Sequence, residues 1–316
     1  MPGNEPIWKE TKQKASLQNG WFIPEFVELA IKNIAENLLE KETLGSWVAG
    51  YHLPPEIQHP KSIGIVMAGN IPLVGFHDLI SVFVSGHKAV VKPSSKDEIL
   101  IKHLVDVLAD WDPDISSFIC FSEILKNCDA YMATGSNNTS RYFEYYFGKY
   151  PHIIRCNKTS VAVLTGNETN KELEKLADDV YQFFGLGCRN VTKIYVPVKY
   201  EFEPLLNSFK KYNYLADHHK YKNNYDYNLA IHILNNKFYM TNGSDLLVQD
   251  ASIFSPISQL NYEYYTDRNS LLSSLGDNRE IQCIIGHGQI PFGRAQHPTL
   301  FDYADKTDTM VFLKSL

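Results

Sequence analysis

The spacing of apolar residues changes repeatedly along the chain. In "PEFVELAIKNIAENLLE", residues 24–40, Phe26, Leu29, Ala30, Ile34 and Leu38 recur at helical spacing behind Pro24, which predicts an amphipathic helix. After the Pro-rich connector "HLPPEIQHP" the pattern becomes a continuous apolar run, "SIGIVMAG", the mark of a buried strand. A helical period returns in "PLVGFHDLISVFVSG" and stops at Gly86, "KAVVKPS" reads as a strand ended by Pro93, and "KDEILIKHLVDVLADW" is helical again. Strand patterns follow at "SSFICFS", "AYMATGS", "HIIRC" and "SVAVLTG", with the helix-like "NNTSRYFEYYFG" among them. Strands alternating with helices predict an α/β fold with a doubly wound parallel sheet. Such sheets bind ligands beyond the carboxyl ends of their strands, where Asn70, Lys92 and Thr134-Gly135-Ser136 fall.

From about residue 159 the texture changes. The helix pattern "NKELEKLADDVYQFFG" runs into "FFGLGCRNVTKIYV", which holds Cys188 and opens the strand "TKIYVPV". Beyond it "YNYLADHHKYKNNYDYN" shows only weak helical periodicity and reads equally as a substrate-facing or an irregular surface. A length of 316 residues suits two domains, so 1–158 and 159–316 are expected to fold as separate α/β units. The polar first ~20 residues, with an early Pro and Gly, are the stretch where flexibility is expected.

Composition narrows the function classes. With 44% hydrophobic and 21% charged residues the chain belongs among folded proteins, and a net charge of -6 without a basic stripe argues against a nucleic-acid partner. Apolar runs such as "LISVFVSG" are too short for a membrane span and no secretory leader precedes them, so a cytoplasmic location is expected. Five cysteines without Cys-x-x-Cys spacing read as reduced thiols, not as a disulfide framework or a zinc site. His218, His219 and the other histidines show no metal-ligand spacing, and no metal is expected.

Four places suit chemistry. Cys188 lies between small glycines and an arginine, where a thiolate is reachable and Gly185 and Gly187 leave the backbone uncovered for a substrate carbonyl; free cysteines are nevertheless more often inert filler. Asn70, after one strand and before Pro72, suits either a helix N-cap or a donor to a developing oxyanion. Lys92, beside Ser94 and Ser95, suits a nucleotide ribose or phosphate, or else an ordinary solvated strand end. Thr134-Gly135-Ser136 forms a strand-to-helix turn whose N–H groups could face a pyrophosphate, although neither a Gly-x-Gly-x-x-Gly nor a P-loop is present.

In order, "NIPL", "VVKPS", "TGS", "FFGLGC" and "SIFSP" resemble the landmarks of the aldehyde dehydrogenase superfamily, and from about residue 60 onward the chain looks most like its acyl-CoA reductase branch, the LuxC-type fatty-acid reductases. The resemblance implies a Rossmann-like cofactor domain and a second α/β catalytic domain. It implies Cys188 as nucleophile, Asn70 as oxyanion donor, Lys92, Ser94 and Ser95 at the adenosine ribose, Thr134, Gly135 and Ser136 at the pyrophosphate, and Phe254 near the nicotinamide ribose. Two departures stand out: Ile154 occupies the place of the water-activating glutamate of hydrolytic relatives, and Ser252 that of a glutamate on the nicotinamide ribose.

Without the water-activating acid, an acyl adduct on Cys188 is expected to meet hydride or CoA and not water. The implied activity is NADPH-dependent reduction of an acyl-CoA to an aldehyde, with NADPH favoured over NADH because Lys92 and two serines tolerate a 2′-phosphate. An acyl-phosphate reductase of the same fold and a cysteine acyltransferase or thioesterase without nicotinamide are the alternatives, and a homo-oligomer is left open.

Overall fold

The computed structural model describes residues 5–55 and 57–316. They divide into two compact units, one formed by the chain up to Asn157 together with Pro298–Leu316, the other by Lys158–His297.

The first unit begins with three helices, α1 (Glu5–Gln18), α2 (Pro24–Asn37) and α3 (Lys41–Ala49). Then β1 (Ser62–Val66), α4 (Phe76–Val84), β2 (Lys88–Lys92), α5 (Glu98–Trp111), the single turn α6 (Ile115–Phe118), β3 (Ile119–Phe121), β4 (Ala130–Thr134), α7 (Asn137–Phe147) and β5 (His152–Arg155) follow. The five strands form one parallel sheet in the order β3-β2-β1-β4-β5, the doubly wound order in which the chain reverses direction between β1 and β4. Ile63, Ile65, Val91 and Met132 of the sheet are buried in one core with Leu100 and Ile101 on the apolar face of α5.

Two findings go beyond the expectations here. From Glu5 on the N-terminal stretch is helical: α1 buries Ala15 in the core, stacks Trp8 on His103, and ends where Gln18 and Asn19 side-chain amides donate to the Ser95 and Lys96 carbonyls. The flexibility expected of residues 1–4 lies outside the described residues, as does Glu56 of the Pro-rich connector. Helix α4 starts at Phe76 and not at Pro72, because Leu73 takes a left-handed conformation (φ 57°) that breaks the helix before it can begin.

The second unit holds β6 (Thr159–Val163), α8 (Asn170–Tyr181), β7 (Val191–Pro197), α9 (Phe202–Phe209), α10 (His219–Leu234), β8 (Met240–Thr241), β9 (Leu246–Gln249), β10 (Gln259–Tyr265), α11 (Arg268–Asp277) and β11 (Ile281–Ile285). Its six strands are ordered β11-β6-β7-β10-β9-β8, all parallel except the short edge strand β8. A capping box of Thr169 and Glu172 opens α8. The Tyr- and Asn-rich stretch of weak periodicity runs into the 16-residue helix α10, which begins within it at His219 and continues to Leu234.

The last 19 residues, expected in the second half, pack in the first. There α12 (Thr309–Lys314) and the segment before it bury Leu300, Met310 and Leu313 in the core of the first unit. Polar ties reinforce this: Trp47 Nε1 donates to Tyr303 Oη at 2.7 Å, His77 Nε2 to the Leu300 carbonyl at 3.1 Å, and buried Arg155, ion-paired with Asp78, to Thr309 Oγ1 at 3.0 Å. Among the described residues no helix is long and apolar enough to cross a membrane.

Candidate functional site

Strand register places the first group of candidate residues. Val66 pairs with Lys92 on one side and Ala133 on the other, so the loops after β1, β2 and β4 leave the sheet along one carboxyl edge at the point where strand order reverses. They carry Asn70, then Lys92, Ser94 and Ser95, then Thr134, Gly135 and Ser136. Asn70 is exposed and does not cap α4, whose N-cap is Gly75. Lys92 is exposed at its strand end.

The loops after β1 and β2 approach each other closely, where a Cβ on Gly69 would lie 2.5 Å from Ser94 Oγ. After β4, one on Gly135 would lie 2.9 Å from the Phe143 ring of α7, so a side chain at either position would force its neighbour to move. Ser136 caps α7 by accepting from the Thr139 N–H at 3.2 Å, and the Gly135 N–H is held by the Arg155 carbonyl. A carboxyl edge with two glycines in close approach, a helix opening on a serine and a lysine at the neighbouring strand end fits the phosphates and ribose of a dinucleotide. Ile154, on β5 opposite Ala133, is half-buried and offers no acid.

In the second unit Cys188 is half-buried in the tight turn between α8 and β7. The turn is reached through three successive left-handed residues, Phe183, Phe184 (φ 56° each) and Gly185 (φ 73°). That conformation costs a non-glycine residue about 1–2 kcal/mol, offset by full burial of both phenylalanine rings. At Gly185 the demand is conformational, since an added Cβ would come no nearer than 3.4 Å to the Val180 carbonyl. His218 packs its ring on Phe184.

Fully buried Asn190 holds the turn. Its Nδ2 donates to the carbonyls of Asp179 (3.1 Å), Val180 (3.2 Å) and Gln182 (2.8 Å), the unsatisfied end of α8, while its Oδ1 accepts from Gly187 N–H at 2.8 Å. Ser160 Oγ donates to the Cys188 carbonyl and accepts from Cys283 N–H, both at 3.1 Å. Arg189 Nε donates to the Ala295 carbonyl, and the Asp179 carboxyl accepts from the Gly293 and Ala295 N–H groups at 2.7 and 2.9 Å. Burial pushes that carboxyl up to about 7 against the pull of both N–H groups.

Phe254 is half-buried in the loop between β9 and β10, which is tied to the strand that follows Cys188. Thr192 Oγ1 donates to the Ile253 carbonyl at 2.6 Å, and buried Lys193, ion-paired with Glu263, donates to the Ala251 carbonyl at 2.8 Å. Exposed Ser252 bonds within its own loop, its Oγ donating to the Phe254 carbonyl at 2.8 Å, where Asn261 Nδ2 also donates at 3.1 Å. Among the described residues no three His, Cys, Asp or Glu side chains gather as metal ligands would.

Sequence reasoning missed Asn190, Ser160, Asp179 and Asp97, the last bonded to Leu73 N–H. Asn190 alone left a local signal, an asparagine closing a short turn before a β-branched run.

The model of the LuxC acyl-CoA reductase family matches residues 31–208, more than half of the chain, including Asn70, Lys92, Ser136 and Cys188 but not Phe254. A comparison with curated protein sequences returns no match. Among solved structures the chain is similar to a putative aldehyde dehydrogenase from Burkholderia cenocepacia (13% identity, 72% of this chain and 61% of that one, TM-score 0.54). It is similar as well to an aldehyde dehydrogenase from Mycobacterium tuberculosis complexed with NAD+ (15%, 71% and 56%, TM-score 0.56) and to a point mutant of one from Bacillus cereus (12%, 88% and 67%, TM-score 0.63). The chain thus spans 61% and 56% of the length of the first two. Identities this low establish the aldehyde dehydrogenase fold, a Rossmann-like unit and a second α/β unit. With the family match covering the sheet edge of the first unit and the cysteine turn of the second, the chain belongs to the LuxC acyl-CoA reductase family.

Proposed function

We propose that the chain reduces an acyl-CoA thioester to the aldehyde through an acyl group carried on Cys188. The observation that carries this reading is the match to the acyl-CoA reductase family across the Cys188 turn, in a chain with aliphatic Ile154 where a water-activating acid would stand.

In this reading the Cys188 thiolate attacks the thioester carbonyl, with the Cys188 backbone N–H and the Asn70 carboxamide as oxyanion donors. Collapse breaks the bond to CoA, which leaves as thiolate and takes a proton, and the acyl group remains on sulfur. Asn190 and Ser160 keep the turn from moving as the sulfur changes partners. Lys92, Ser94 and Ser95 would hold the adenosine ribose, Thr134, Gly135 and Ser136 the pyrophosphate, and Phe254 the nicotinamide end; NADPH is preferred over NADH because no acid stands at Lys92. Hydride from a nicotinamide held there would reduce the acyl carbon, and release of the aldehyde breaks its bond to sulfur and returns the Cys188 thiolate. Ile154 contributes by omission, leaving no base to direct water at the thioester.

The test is a panel of acyl-CoAs and acyl phosphates assayed for NADPH and NADH oxidation. Acyl-CoA-dependent oxidation is expected, and Cys188→Ser should lower it about a thousandfold or more. Full activity in that variant, turnover of acyl-CoA without nicotinamide, or turnover of acyl phosphates alone would each overturn the proposal.

A further inference from the structure

Asp97 occupies the N-cap of α5, where an aspartate ordinarily turns its carboxylate onto the first N–H groups of its own helix. Here it makes no such bond. Its Oδ2 instead accepts from the Leu73 N–H at 2.6 Å, across to the loop that follows β1, and Leu73 is the residue forced into the left-handed conformation three positions after Asn70. The Asp97 backbone N–H meanwhile donates to the Ser94 carbonyl at 2.9 Å. One residue is therefore bonded into both loops of the sheet edge, at the level where Gly69 and Ser94 leave no room for a Cβ. The side chain is only 5% exposed, and its Oδ1 meets no donor.

We propose that Asp97 is a positioning residue that locks the loop carrying Asn70 to the loop carrying Lys92, Ser94 and Ser95. The inference rests on the functional reading above, in which the two loops serve one reaction. One carboxyl oxygen is in use as an acceptor and burial raises the carboxyl to about 8, toward its neutral form, so asparagine, which keeps the accepting oxygen, is its close mimic. Alanine removes the acceptor and leaves the Leu73 N–H unmet at a buried site, with nothing to hold Leu73 in its unfavourable conformation.

Two measurements on the full chain test this. Amide hydrogen exchange of Asp97→Ala should quicken about tenfold or more across residues 67–75 as well as 92–97, while Asp97→Asn should stay within about twofold of wild type. Quickening confined to 92–97, or none, overturns the lock. In a fluorescence titration with NADPH, Asp97→Ala should bind about tenfold more weakly and Asp97→Asn as wild type. Tyr51→Phe, which removes the hydroxyl that bonds Tyr303 Oη and donates to Asp308 Oδ2 at 2.8 Å in the C-terminal segment of the same unit, should leave affinity unchanged. Loops that loosen together in Asp97→Ala while NADPH affinity stays at the wild-type value also overturn the proposal. If wild type binds neither NADPH nor NADH, the functional reading fails, and the exchange result alone decides the lock. Should Asp97→Ala not fold, Asp97→Glu, whose acceptor is displaced by one methylene, takes its place with the same expectations.

Discussion

Replacing Asn190 by alanine should loosen the Cys188 turn and the end of α8 together. The side chain is fully buried and satisfies one N–H and three carbonyls, so its removal leaves at least one donor and two acceptors without partners. At about 1 kcal/mol or more for each orphaned group, the second unit should lose about 3 kcal/mol. With a urea slope of about 2 kcal/mol/M for a unit of this size, the unfolding midpoint falls by about 1.5 M. Asn190→Asp sharpens the test, since it keeps the acceptor for Gly187 but turns a second oxygen toward three carbonyls; it should be at least as destabilising as alanine above pH ~5 and recover as the acid protonates. Urea unfolding followed by circular dichroism gives the midpoints, and the alkylation rate of Cys188 reports the turn directly. A midpoint within about 0.3 M of wild type for Asn190→Ala, or a smaller loss for Asn190→Asp at neutral pH, would refute the assignment of the turn's order to this side chain.

Gly69→Ala should destabilise the first unit by about 1–3 kcal/mol, because its Cβ would lie 2.5 Å from Ser94 Oγ, and Ser94→Gly in the same chain should restore most of the loss in a thermal melt. Asp97 is raised to about 8 and Asp179 and Asp245 to about 7, so the folded chain keeps protons that the unfolded chain gives up from about pH 4 upward. These carboxyls therefore favour the fold most at acid pH and lose that advantage as pH climbs through about 7–8; Asp179→Asn should flatten the decline in urea midpoint between pH ~5 and ~8, and an unchanged slope counts against the burial of this acid. Residues 158–297 expressed alone should unfold cooperatively by circular dichroism, whereas a chain ending at His297 should lose the first unit's cooperative transition.

Strands β1 and β4 were legible because burial on both faces leaves apolar runs, and β2 and β7 because short β-branched stretches end at a proline. Helix α10 was not, because its buried positions are Tyr221, Tyr225, Asn228 and His232, spaced as a helix but polar or amphipathic in character. Two of their polar atoms reach partners far along the chain, with Asn228 Nδ2 donating to the Ile257 carbonyl and His232 Nε2 bonded to Gln259 Oε1. Left-handed phenylalanines and a left-handed leucine carry no local signature, since only tertiary packing holds them there. The same limit separates the candidate chemistry from its support. Cys188, Asn70, Lys92 and Ser136 stand in short ordered motifs, whereas Asp97 looks like an ordinary helix cap until Leu73 is brought to it.

The return of Pro298–Leu316 to the first unit reverses the usual order of folding during synthesis. Domains generally fold as they emerge, amino end first, but here Leu300, Met310 and Leu313 complete a core whose other members were made before the intervening unit. At roughly 5–20 residues per second, the ribosome needs roughly 7 to 28 s to make the residues between Asn157 and Pro298. For that interval the Rossmann-like sheet waits with part of its apolar surface uncovered, while the continuous second unit is free to finish first. The nascent chain is then most exposed to chaperones and to aggregation in its oldest part, not its newest.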